Sequence, residues 1–311
     1  MKLSATILLG SLALGSLSCA DDGPATATAP TVAVAFAPIE EIVRRVAGDL
    51  VTPVPLTPAG KGPHDVELEP RTATALERST AVFLLGRGFQ PAIESAAGTM
   101  RSRARVVDLL DGLPLLTVTP KLDGTQGEVD GEVLDGDTDP HVWLDPVLMQ
   151  QMTDTVERTL AEVLPAAAER LRSNAAAYRS ELAALDAEFR AGLQTCRSRV
   201  VVTSHRAFGY LARRYGLEQL PIAGLSPDEE PDPRTLTAIT RAARAKNVEV
   251  IFFEEQLPDD LARTVADEIG VKTSALDPIE AVPAGSATAG RGYVEAQRAN
   301  LAALRAGLGC T

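Results

Sequence analysis

Histidine is almost missing from this chain. Its 311 residues contain three, His64, His141 and His205. They stand 77 and 64 residues apart, too widely for a local finger, so only a whole fold can gather them. Positive charge is also scarce: 30 Lys and Arg face 42 Asp and Glu, a formal net charge of −12. That balance argues against nucleic acid, whose phosphates demand a basic surface. It is compatible with cation capture without demonstrating it. After residue 17 no segment approaches the roughly 20 apolar residues that a membrane-spanning helix needs. The sequence HExxH is absent, which excludes the commonest zinc-protease arrangement, and the GRG runs at 86–88 and 290–292 lack a phosphate cradle.

Cysteine is limited to Cys19, Cys196 and Cys310. Residues 1–19 read as a signal peptide: Lys2 is a short positive start, and Leu3 to Leu17 form an apolar stretch too short to span a bilayer. Cys19 follows small residues and precedes Ala20, Asp21 and Asp22, the setting of a lipoprotein processing site. Leu17 sits two residues before it rather than the usual three, and ordinary cleavage nearby without a lipid is the alternative. The chain is therefore expected to be exported, periplasmic or at the cell surface, touching the membrane only through a lipid anchor. In an oxidising compartment Cys196 and Cys310 are expected to pair, with two separate buried thiols as the alternative.

What is abundant is alternation. Residues 20–30, with "ATATAP", make a flexible tether. From 31 onward β-branched runs alternate with helical periods. "TVAVAF" precedes a helix with Ile39, Ile42, Val43 and Val46 on one face, and "AVFLLG" is another buried strand. The prolines of "VTPVPL" suit an edge strand. The rhythm resumes at "SRVVVTSH", then a helix closed by Gly216, then the strand-like "VEVIFFEEQ" and "VKTSALDP". This predicts an α/β fold of two lobes, 31–164 and 195–311, each a mostly parallel sheet flanked by helices. Between them, 165–194 reads as one long rigid helix with an apolar stripe of Leu171, Tyr178, Leu182, Leu185, Phe189 and Leu193. A surface helix belonging to one lobe is the alternative. The stretch 119–140 breaks the pattern. It is rich in Gly and acidic residues with Lys121 as its one cation, the composition of a mobile or solvated loop that could also collect cations weakly.

Each histidine lies where a strand has just ended or a loop turns, the places where open α/β sheets bind ligands. His205 follows "VVVTS", and Asp277 ends "TSALD" in the equivalent place. With His64 and His141 in the first half, two ligands could come from each lobe. Three neutral imidazoles and a carboxylate fit a tetrahedral divalent metal, and imidazole suits zinc better than calcium or magnesium.

Several segments resemble one family. "PHDVELEPR" is similar to a "PHDYEPSPRD" signature, "DPHVWLDP" matches a second almost letter for letter, and "TSHRAFGYLARRYGL" resembles "SHDAFGYFARRYGL". "IFFEEQ" and "LDPIE" follow in the same order, so the likeness spans about 31–311. These are segments of the cluster A-I (cluster 9) metal-binding receptors of bacterial zinc and manganese ABC importers. The resemblance implies His64, His141, His205 and Asp277 as metal ligands and two lobes joined by one helix. It also implies a monomeric receptor serving a membrane permease and its ATPase. Manganese receptors of the family tend to carry Glu where His205 stands, so Zn²⁺ is the expected cargo, with Mn²⁺ or Fe²⁺ the alternative. Three positions depart from the pattern: Arg206 replaces a common Asp, Pro63 stands where some zinc receptors have Glu, and the loop before His141 is acidic rather than histidine-rich.

The competing reading is a secreted zinc hydrolase, which needs an open coordination position and a nearby general base. If Asp277 fills the fourth position, no water remains to be activated. An adhesin, a role assigned to some members, has no distinguishing feature here. Trp143, the one tryptophan, is expected to pack beside His141.

Overall fold

Short β-branched runs and amphipathic helices do alternate, and they build two parallel-sheet α/β lobes flanked by helices. The computed structural model describes residues 29–64, 66–117, 138–227, 231–255, 259–281 and 292–311. The leader with Cys19, the tether up to residue 28 and most of the acidic loop, 119–137, lie outside the described residues.

In the first lobe β1 (Thr31–Val34), α1 (Ala37–Ala47), β2 (Thr52–Pro55), α2 (Pro70–Glu77), β3 (Ala81–Leu84), α3 (Pro91–Gly98) and β4 (Arg105–Asp108) follow in turn. Among the described residues the strands form a parallel sheet in the order β2-β1-β3-β4. The apolar runs of β1 and β3 occupy its centre, where both faces are covered and continuous hydrophobicity is required. β2, with Pro53 and Pro55, takes an edge, where a missing N–H costs no ladder bond. Ile39, Ile42, Val43 and Val46 of α1 are fully packed against this lobe's core. A two-residue antiparallel pair, β5 (Leu116–Thr117) with β6 (Thr138–Asp139), brackets the acidic segment.

Next comes α4 (Pro146–Val163), a helix that the apolar periodicity did not disclose. Asp145 caps it, accepting from the Val147 N–H at 2.8 Å, and Pro146 takes the first turn. The second "DP" of "DPHVWLDP" is thus a helix start.

Pro165 opens a short 3₁₀ turn, Pro165–Ala167, and the long helix α5 runs from Ala168 to Gly192. At 1.5 Å per residue its 25 residues make a rod of about 38 Å. Leu171, Tyr178, Leu182, Leu185 and Phe189 are buried along one face. That face packs against α1 and α4 of the first lobe and against α9 (Tyr293–Leu308) of the second. It therefore serves both lobes.

The second lobe adds β7 (Val200–Thr203), α6 (Gly209–Tyr215), β8 (Glu218–Pro221), α7 (Pro233–Ala245), β9 (Val250–Phe253), α8 (Asp260–Ile269) and β10 (Lys272–Ala275) before α9. Its parallel sheet reads β10-β9-β7-β8. Gly216 closes α6 at φ 64°, the left-handed cap that favours glycine. Cys196, just past α5, is disulfide-bonded to Cys310, one residue from the chain's end. No helix among the described residues is long and apolar enough to cross a membrane.

Candidate metal centre

The loops at the carboxyl ends of the two sheets face each other, and the three histidines meet between them. His64 lies in the loop after β2, His141 just after β6, and His205 just after β7. His64 is 6% exposed and the other two are fully buried. Their ring centroids are 5.3–5.9 Å apart.

The fourth member is Glu280, which sequence reasoning missed. His64, His141, His205 and Glu280 each offer one donor atom, and all four atoms lie within 4.8 Å of one another. Glu280 Oε1 is 3.4 Å from His64 Nε2, 3.2 Å from His141 Nε2 and 3.3 Å from His205 Nε2. Zinc bonds of about 2.0–2.1 Å give a tetrahedron whose edges measure about 3.3–3.4 Å. The carboxylate oxygen thus stands about one such edge from each imidazole nitrogen. His141 Nε2 and His205 Nε2 are buried without a hydrogen-bond partner, an arrangement normally costly unless something else engages the lone pair.

Asp277, expected as the fourth ligand, is not in this group. Its Oδ1 accepts from the Ile279 N–H at 2.7 Å. The strand-end argument selected the first carboxylate after β10. Ile279, however, takes φ 60°, a left-handed turn rare for a β-branched residue, and the carboxylate that reaches the histidines comes after it. Glu280 was in view within "LDPIE", but its direction depends on that turn.

Two further carboxylates went unassigned. Asp139 Oδ1 lies 2.8 Å from His141 Nδ1 and accepts from the His141 backbone N–H at 3.0 Å. Glu254 Oε1 lies 2.5 Å from His205 Nδ1. With a proton on each Nδ1, both Nε2 lone pairs point toward Glu280, and each carboxylate fixes the tautomer and orientation of its imidazole. A signal for Glu254 existed: it immediately follows β9, at the same kind of strand end that singled out His205.

Neighbouring loops hold the histidines in place. Gln90 Nε2 donates to the Pro63 carbonyl and to Thr57 Oγ1, each at 3.2 Å, tying down the residue before His64. Thr203 Oγ1 and Gln219 Nε2 donate to the His205 carbonyl at 2.7 and 3.0 Å. Tyr210 of α6 reaches across the lobes, donating to the Asp139 carbonyl at 2.7 Å and accepting from the Leu116 N–H at 2.8 Å. Gly209 permits this approach, since a Cβ there would come within 2.7 Å of Asp139 Oδ2. Phe89 and Trp143 wall the centre, each with its ring centroid 5.1 Å from that of a site histidine.

Burial alone would lower the pKa of His205, but the carboxylates of Glu254 and Glu280 outweigh it and raise the ring to about 10. Burial likewise works to raise the pKa of Glu280, yet His64, His141 and His205 hold it well below the usual carboxylate range. Anionic oxygen among buried imidazoles, backed by two more buried carboxylates, is an environment made for a cation.

A family model described as "ZnuA: Zinc-uptake complex component A periplasmic" matches residues 32–307. The chain belongs to this family. One relative, the zinc-binding lipoprotein AdcA of Streptococcus pneumoniae, is 30% identical over 306 residues. The match covers 98% of this chain but 61% of that protein, so the chain spans less than two thirds of the relative's length. The high-affinity zinc uptake system protein ZnuA of Bacillus subtilis is 31% identical over 280 residues, 88% of this chain and 86% of that one. Among solved structures, the Zn(II)-bound ZnuA-like domain of Streptococcus pneumoniae AdcA superposes with a TM-score of 0.74 at 30% identity, covering 90% of this chain and 98% of the domain.

Proposed function

We propose that this protein is an exported receptor that captures Zn²⁺ between its lobes and delivers it to the permease of an ATP-driven importer. His64, His141, His205 and Glu280 are the ligands. The observation that carries this reading is Glu280 Oε1 standing 3.2–3.4 Å from three imidazole nitrogens, the edge length of a zinc tetrahedron. Three nitrogens to one oxygen favour zinc over magnesium, calcium and manganese, which take more oxygen. The names of the relatives, a zinc-binding lipoprotein and a zinc uptake protein, support the same cargo.

A receptor has to enclose its ion and later let it go. Nearly complete burial of all four donors suits enclosure, and their origin in two lobes suits release, because separating the lobes divides the ligand set. Four protein donors leave no tetrahedral position for a reactive water, so the site supports binding rather than hydrolysis. The receptor acts as a monomer and is held to the membrane by a lipid on Cys19; the sequence around that residue and the name of the lipoprotein relative support the anchor.

Zinc affinity measured by competition against a chelating dye tests this directly. His205→Ala is expected to lose at least 100-fold, and unchanged affinity would overturn the site. Metal analysis of protein purified without chelator should find zinc; manganese or iron in its place would overturn the cargo.

A further inference from the structure

The loop after β10 is pinned at three points. Asn300 of α9 accepts from the Asp277 N–H at 2.8 Å and donates through Nδ2 to the Asp277 carbonyl at 2.6 Å. The Asp277 carboxylate accepts from the Ile279 N–H at 2.7 Å. Trp143 of the first lobe donates through Nε1 to the Pro278 carbonyl at 2.7 Å. Within these pins Ile279 adopts φ 60°. A β-branched residue stays in that left-handed region only where its surroundings over-determine it. The next residue is Glu280. Neither Asp277 nor Asn300 belongs to the four-donor group, and Asn300 is almost fully buried.

We infer that Asp277 and Asn300 are positioning residues that hold Ile279 in the turn delivering the Glu280 carboxylate to the three imidazoles. The inference rests on the metal-site reading above. Asp277 fixes the turn from within by taking up the Ile279 N–H, and Asn300 fixes Asp277 from α9 by bonding both of its backbone groups. Without that clamp the backbone relaxes toward negative φ, Glu280 swings away, and zinc keeps only its imidazoles.

A double-mutant cycle read by zinc competition separates this role from a general loss of structure. Asp277→Ala should weaken binding at least tenfold, in the range expected for a supporting partner of a ligand. In a Glu280→Gln background the same change should alter affinity less than twofold, because no carboxylate remains to be placed. Asp277→Asn, whose side-chain oxygen can still accept from Ile279, should restore affinity to within threefold of the wild type. Asn300→Asp keeps the side chain's volume but cannot donate to the Asp277 carbonyl. It should weaken binding several-fold, again only when Glu280 is present, and it provides the test if Asp277→Ala does not fold. Equal losses in both backgrounds, or unchanged affinity in Asp277→Ala and Asn300→Asp while Glu280→Gln is impaired, would overturn the inference alone. Full affinity in Glu280→Gln would overturn the site reading and this inference with it.

Discussion

Replacing Glu254 by Gln keeps the side chain's size and removes one negative charge beside His205. Glu254 is 5% exposed, and its Oε1 lies 2.5 Å from His205 Nδ1. Two consequences oppose each other. The carboxylate fixes the tautomer and strengthens the Nε2 donor, and losing such a partner costs about 10–100-fold in metal affinity, or about 1.4–2.7 kcal/mol. The same carboxylate, with Glu280, also outweighs burial and raises the metal-free imidazole to a pKa of about 10. At pH 7 zinc must therefore displace a proton from His205, and each pH unit below that value costs about 1.4 kcal/mol. The amide relieves part of this competition. A dication nonetheless gains more from a nearby carboxylate than a single proton does, so the net effect is weaker binding. Acidity separates the two contributions. Near pH 7 the variant's loss is partly masked by easier deprotonation, whereas at pH 9, one unit below the value of the unaltered ring, at most about tenfold of that masking remains and the gap is wider. Dye competition at unit steps from pH 6 to pH 9 reads both curves. A gap that stays constant or narrows as pH rises would refute the reasoning.

Other consequences concern stability. Zinc at 100 times its Kd should stabilise the fold by about 2.7 kcal/mol, seen as a calorimetric melting shift that a chelator abolishes; equal melting temperatures with and without zinc would contradict specific binding. Phe189→Ala on α5 empties a fully buried site in the core shared by both lobes and should cost about 3–5 kcal/mol by denaturant titration, leaving zinc stoichiometry at one. Reducing Cys196–Cys310 frees a loop with a sequence separation of 114 and should cost about 2–5 kcal/mol, measured as a lower urea midpoint. In chelated protein the raised pKa of His205 implies a contact fully stabilising below about pH 6.5 and fading as pH climbs toward 10, so the metal-free melting temperature should fall over that interval.

Much of this arrangement was legible because local chemistry and global fold agree. The apolar runs of β1, β3 and β9, the prolines of β2 and the stripe on α5 follow from burial alone. The histidines were legible because strand ends in an open sheet converge on one crevice. The helix α4 is harder to read because its buried face mixes Thr153 and Thr159 with Leu148, Met149, Met152, Val156 and Leu160, and its clearest signal, the Asp145–Pro146 start, lies inside a motif that also carries His141. Glu280 escaped for a different reason. Which carboxylate enters the centre depends on the left-handed Ile279, a strained conformation that no local propensity favours and that α9 and Trp143 impose from elsewhere in the chain. Asp139 and Glu254 act through the far nitrogens of two imidazoles, a geometry visible only once ring orientations are known.

The most direct test is zinc-edge X-ray absorption of the protein loaded with one equivalent of metal. The account predicts four nitrogen or oxygen donors at about 2.0–2.1 Å, with the outer-shell scattering of three imidazoles, and one imidazole fewer in His205→Ala. A five- or six-coordinate shell, or a spectrum with two imidazoles or fewer in the unaltered protein, would contradict it.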